Sequence, residues 1–245
     1  MPPNMASTLD SKVQVQSLVD VVTARLEAAI ISGQLEPGAK LSEQGLAASL
    51  GVSRGPLREA IRRLEGRKLL ERTPNIGVRV ARLSLQDLLQ ILEVREALEG
   101  MAAGLAATNM SEAEIAALGK LIEGHGKQKG LQDGTGYYQE AKDEDFHVRI
   151  AEGSGNARLV QMLCGDLYYL LRVYRYRSST KPGRARDALS EHQAIVGAIA
   201  SRDAKRAEAA MRAHLRNARR NVEQQLSDEE GARSAAKSGP RIRSI

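Results

Sequence analysis

The chain has no tryptophan, one cysteine and one phenylalanine, and aromatic residues make up 3% of its 245 positions. So little aromatic surface argues against the stacking platforms on which single-stranded nucleic acids are held. The lone Cys164 rules out an internal disulfide and fits a reducing cytoplasm as the expected place of work. It stands among Leu163, Leu167 and Leu170, the setting of a small core residue rather than a nucleophile. No apolar run approaches the ~20 residues that a membrane span needs. Met1-Pro2-Pro3-Asn4 also lacks the basic-then-apolar order of a secretory signal.

A hydrophobic fraction of 42% is enough for real cores, and the length suits one large domain or two modest ones. The net charge of +6 is unevenly spread. Residues 16–82 hold eleven Lys and Arg against seven Asp and Glu, whereas residues 84–158 hold seven against thirteen. The front third is therefore the part with affinity for a polyanion. All seven aromatics fall between Tyr137 and Tyr176, which points to a packed site in the second half.

The basic front is organised around residues 52–64. At helical spacing Leu57, Ile61 and Leu64 make an apolar stripe, and Arg54, Arg58 and Arg62 make a second stripe at i, i+4 steps. Ser53 is the expected N-cap, with Pro56 in the first turn. A short helix with a packed back and an arginine front suits the major groove, where Arg can reach O6 and N7 of guanine together. Before it, residues 16–31 read as a helix stopped by Gly33, and Ser42 caps a short helix ending at the Gly51 turn. After it, residues 68–73 and 78–81 flank Pro74-Asn75-Ile76-Gly77 as a β-hairpin. Helix, turn, basic helix and hairpin make a winged helix-turn-helix whose wing tip lies against the DNA backbone or in the minor groove.

Beyond residue 82 the periodicity is helical throughout, with helices expected over 84–108, 111–124, 137–152, 157–178, 184–201 and 204–225. The fold class is mainly α: a winged helix-turn-helix of three helices plus a hairpin at 15–82, then an all-α bundle at 83–226. A mobile arm is expected at 1–14 and a disordered tail at 227–245. In the bundle, Arg95 and Glu99 interrupt an apolar face at i, i+4. Asn156 and Asp203 read as helix caps. His147, His192 and His214 each fall on the apolar face of a different helix, with Asp143 one turn before His147. A polar group on a buried face must be hydrogen-bonded, neutralised or bound to a metal. These residues suit either a hydrogen-bonded core or a Zn²⁺, Ni²⁺ or Mn²⁺ site. His125, in a Gly/Lys-rich stretch, is expected on the surface.

The front third resembles the GntR family of bacterial winged helix-turn-helix repressors. The resemblance rests on Pro37-Gly38, Leu41-Ser42-Glu43, Leu46-Ala47, Gly51-Val52-Ser53-Arg54, Pro56-Leu57-Arg58-Glu59-Ala60 and Gly77. It implies DNA contacts from Arg54 and Arg58, with Ser53 and Gly77 near phosphates; Arg62 joins them as part of the same stripe. Gln44 stands where many members carry Arg, which removes one such contact. The rest is similar to the FCD effector domain of the FadR-type branch, through Arg95…Glu99, residues 143–147, Gly155-Asn156, Glu191-His192 and Met211…His214-Leu215. That similarity implies a divalent metal on Asp143, His147, His192 and His214 and a small carboxylic acid as effector. Arg95, Tyr168, Arg172 and Tyr176 are candidates to face the acid, with packing or an ion pair as the alternative for each.

The resulting expectation is a ligand-responsive repressor that binds a near-palindromic double-stranded operator as a homodimer. The alternative is a metal-dependent enzyme using the Asp/His cluster. Against it, the chain has no His-Glu-x-x-His, no obvious general base, and a DNA-reading head that an enzyme does not need. A structural DNA-binding dimer with an inert helical core is the third reading.

Overall fold

The computed structural model describes residues 17–82, 84–132, 145–166, 168–169, 172–173 and 184–237. The chain folds as two compact units that divide between Ala81 and Arg82.

In the first unit, Ser17 and Asp20 form a reciprocal capping box that opens α1 (Leu18–Ile31), which buries Val22, Leu26, Ile30 and Ile31. Strand β1 (Lys40–Leu41) precedes α2 (Glu43–Leu50), whose N-cap Ser42 accepts from the Gly45 amide. Gly51 ends α2 at φ +65°, a left-handed turn that a glycine makes without strain. Then comes α3 (Arg54–Gly66), with Leu57, Ala60, Ile61 and Leu64 wholly buried. Each of its three large side chains contributes roughly 1.5–3 kcal/mol by leaving water. Strands β2 (Leu70–Thr73) and β3 (Gly77–Val80) form the expected hairpin, in register Glu71 to Arg79 and Thr73 to Gly77. The sheet order is β1-β3-β2, so Lys40 and Leu41 add a third strand that was not expected. Two residues are too few to show a period. Ser53 holds the N-cap position of α3, but its hydroxyl makes no capping bond. Pro56, at the third helical position, has no N–H to donate to it.

The second unit is helical across its described residues. Ser84 and Asp87 box the start of α4 (Leu85–Asn109), and Ser111 and Glu114 that of α5 (Glu112–Gly126). A single turn, α6 (Lys129–Gln132), is followed by α7 (Phe146–Gly153) and α8 (Ala157–Gln161), the latter capped by Asn156 as expected. A π-helical turn, Met162–Asp166, continues α8. The unit closes with α9 (Arg184–Ala200) and α10 (Ala204–Lys237). Helix α4 packs mainly on α10 and α7, and α9 packs on α10 and α5. Two glycines leave room for long side chains at these contacts: a Cβ at Gly100 would lie 2.7 Å from Arg212 Cγ, and one at Gly153 would lie 2.6 Å from Met110 Cγ. Arg202, at φ +58°, donates to the carbonyls of Ala107 and Met110 and reaches Glu112, tying the end of α4 to the turn before α10.

Two expectations need correction. His125 is not on the surface: α5 runs two residues past Gly124, and the spacing Leu118, Ile122, His125 leaves the imidazole 3% exposed. Residues 227–237 are not a disordered tail but part of α10, whose alanine, glutamate and lysine content favours helix. The helix expected over 137–152 is described only from Phe146. Asp145 is the N-cap of its described part and accepts from the amides of His147 and Val148. Asp143 and Tyr176 both lie outside the described residues. Cys164 is buried in the core, as expected.

Candidate DNA-reading face and histidine centre

The arginine stripe of α3 is exposed at Arg54, Arg58 and Arg62, flanking the buried stripe. Arg58 Nε donates to Glu43 Oε2 at 2.8 Å, and Arg62 Nη1 lies 3.7 Å from Glu59. Ser53 is exposed before the helix, and Gly77 opens β3 at φ +102°, a backbone region that disfavours a side chain. Its neighbour Ile76 stands 42% exposed at the wing tip.

The second unit brings together the three histidines expected to share a site. His147 on α7, His192 on α9 and His214 on α10 are all buried, and one candidate ligand atom from each lies within 4.8 Å of the others. Their ring centroids are 4.6 to 5.3 Å apart. The single phenylalanine forms one wall, with Phe146 stacked on His192 at 4.2 Å. Neither carboxylate beside the cluster was expected to orient a histidine. Glu99 Oε2 lies 2.6 Å from His147 Nδ1, and Glu191 Oε2 lies 2.6 Å from His214 Nδ1. Both meet their histidines across helices, which spacing along the chain cannot reveal.

Each carboxylate is balanced by an arginine. Arg95 Nε donates to Glu99 Oε1, and its Nη2 lies 3.5 Å from His147 Nδ1. Arg184 holds Glu191 through two bonds of 3.0 and 3.1 Å, and Asn217 adds a third at 2.7 Å. Burial alone would raise the Glu191 carboxyl, but His214, Arg184 and Asn217 outweigh it and bring it down to about 2. Burial also pushes His214 below its ordinary value, against the pull of Glu191, which keeps the ring neutral. An ionised carboxylate on Nδ1 selects the tautomer with its lone pair on Nε2, the arrangement of a metal-ligating histidine. The donor set therefore fits a divalent ion. In a tetrahedral Zn²⁺ site the nitrogens would stand roughly 3.3 Å apart, so closure onto the ion needs small shifts.

Arg95 is thus brought to the histidines, and the Arg95–Glu99 ion pair is also real. Tyr168 is buried, and the Arg172 guanidinium carbon lies 5.7 Å over its ring. Among the described residues no helix is long and apolar enough to cross a membrane.

A winged helix-turn-helix with an arginine front, joined in one chain to a helical unit with a buried histidine centre, defines a DNA-binding transcription regulator rather than an enzyme. Residues 18–80 match the bacterial regulatory proteins of the gntR family, and residues 90–217 match the FCD domain. The chain belongs to the GntR family, in the branch that carries an FCD domain. It is 32% identical over 208 residues to the HTH-type transcriptional regulator LutR of Bacillus subtilis, covering 77% of this chain and 93% of LutR. It is 32% identical over 197 residues to the HTH-type transcriptional repressor GlaR of Escherichia coli, covering 76% and 87%. Among solved structures, E. coli McbR/YncC matches with a TM-score of 0.66 at 25% identity, over 86% of this chain and all of that one.

Proposed function

We propose that the protein is a metal-dependent repressor that binds a near-palindromic operator as a homodimer and responds to a small carboxylic acid. The observation that carries this reading is the charge balance of the histidine centre. Glu99 is offset by Arg95 and Glu191 by Arg184, so neutral imidazoles would leave a bound Zn²⁺, Ni²⁺ or Mn²⁺ with most of its positive charge. Asp143, as a fourth ligand, would remove one unit and still leave a cation. Such an ion draws an anion into its open position, and a carboxylate is a natural oxygen ligand. Arg95 stands beside His147 to take the second oxygen, and Tyr168, Arg172 and Tyr176 are the further candidates for the acid. Ser53, Arg54, Arg58, Arg62 and Gly77 are the DNA-contacting set, and GlaR, a related chain, is named as a repressor.

To regulate, the acid must bind the DNA-competent and released states with different affinity. Operator duplexes recovered by the protein from a random pool supply the probe. With metal loaded, a panel of small mono- and dicarboxylic acids is expected to include one that shifts operator affinity about fivefold or more in fluorescence anisotropy. A full panel at saturation with no shift would remove the carboxylate from the reading.

The second copy is assigned to α4. Ile91, Val94, Leu98, Met101 and Leu105 alternate steps of three and four, the a/d spacing of a two-helix seam. Val94 is 47% and Met101 50% exposed, large apolar side chains that a partner helix would cover. Met101→Glu is expected to change the sedimenting species from twice the chain mass to the 26.6 kDa of one chain. An unchanged dimer would move the interface elsewhere.

A further inference from the structure

The DNA-reading face carries an acidic residue that a purely electrostatic surface would not keep. Glu43 is the first residue of α2, next to its N-cap Ser42, and it takes two arginines from two other elements. Oε2 accepts from Arg58 Nε on α3 at 2.8 Å, and Oε1 accepts from Arg72 Nη1 on β2 at 3.4 Å. Arg72 Nε is held in turn by Glu65 of α3 at 2.9 Å. The carboxylate is 23% exposed and Arg58 is 58% exposed, so the pair sits with its acidic half inward and its basic half outward. A negative charge here repels phosphate and lowers affinity for any DNA.

The geometry of the fork shows what is gained in return. A guanidinium has five donors in one plane, and its two terminal nitrogens together can satisfy O6 and N7 of a guanine. An arginine on an exposed helix face otherwise samples many rotamers and loses that freedom when it binds. Glu43 holds Arg58 by Nε, at the side of the fork, and so leaves the Nη1–Nη2 end as the edge to present. The same carboxylate ties the first wing strand to the recognition helix through Arg72.

We propose that Glu43 is a positioning residue for base reading: it sets the guanidinium of Arg58 for a guanine and couples that side chain to the wing. This rests on the reading of Arg58 as a base contact. Glu43 gives specificity at some cost in raw affinity, the opposite of what a stabilising surface ion pair would do.

The test uses the full chain and the duplexes it selects from a random pool, with each guanine–cytosine pair replaced in turn. Wild type is expected to lose about tenfold or more at one guanine in each half-site, and Arg58→Ala to be indifferent to that replacement. Glu43→Gln, of nearly the same shape, is expected to reduce discrimination at that guanine by about fivefold or more. Its affinity for random-sequence DNA should stay equal or rise, because one negative charge is gone. In the Arg58→Ala background, Glu43→Gln should change nothing at that position. Full discrimination by Glu43→Gln overturns the positioning role and leaves Arg58 as reader. A parallel fall in specific and random-sequence binding also overturns it, because Glu43 would then serve only to hold α2. If Arg58→Ala itself keeps the guanine preference, the underlying assignment of Arg58 fails instead.

Discussion

His214→Ala protein is expected to purify without metal, whereas wild type carries about one divalent ion per chain by mass spectrometry. Loss of one of three imidazoles removes a ligand that no neighbouring side chain of the same kind replaces. Glu191 would keep Arg184 and Asn217 as partners after the substitution, so no carboxylate is left buried and uncompensated. The helical unit is therefore expected to stay folded by circular dichroism, and random-sequence DNA binding to stay within about twofold, since the arginines of the first unit are untouched. Response to any acid should vanish with the ion. A milder variant checks the same geometry: removing an outer carboxylate that orients a ligating histidine typically weakens metal binding about 10- to 100-fold. Glu191→Gln should fall in that range. If wild type takes up none of Zn²⁺, Ni²⁺ or Mn²⁺ after reconstitution, the histidines revert to a hydrogen-bonded core and the signal chemistry must be sought elsewhere.

Arg58→Ala is expected to weaken operator binding by about 10- to 100-fold in anisotropy, the range of one bidentate guanine contact. Arg58 is exposed and its side chain is held by a single surface ion pair to Glu43, so the fold loses little. Leu57, Ile61 and Leu64 behind it remain wholly buried. The effect should depend on sequence, large on selected duplexes and small on random ones, where one cation among many matters less. Retained operator affinity would show that α3 does not read bases through this residue.

The two halves of the chain were unequally legible. In the head, each element has a local cause. The apolar stripe of α3 is written at i, i+4 and i+7, the Ser42 cap lies beside the helix it opens, and Gly51 and Gly77 sit where positive φ is needed. What escaped was short or indirect: β1 has two residues, and Ser53 makes no capping bond three positions before Pro56. In the helical unit, the burial of His147, His192 and His214 followed from their apolar faces. Their grouping followed from the family resemblance rather than from spacing. The carboxylates on Nδ1 come from α4 and α9, 48 and 23 residues from the histidines they hold, and no periodicity records such pairs. His125 and the continuation of α10 were missed because glycine and serine were read as ends where helix propensity of the neighbours carried through.

Gly100 and Gly153 have a consequence for redesign. A Cβ at either position would lie under 3 Å from the side chain of Arg212 or Met110, which would have to move aside where α4 meets α10 and where α7 meets the end of α4. Those three helices carry Glu99, His147 and His214. A substitution at either glycine therefore disturbs the surroundings of the histidine centre from outside it. A library aimed at the residues around the histidines that spares both glycines keeps these helix contacts in every member.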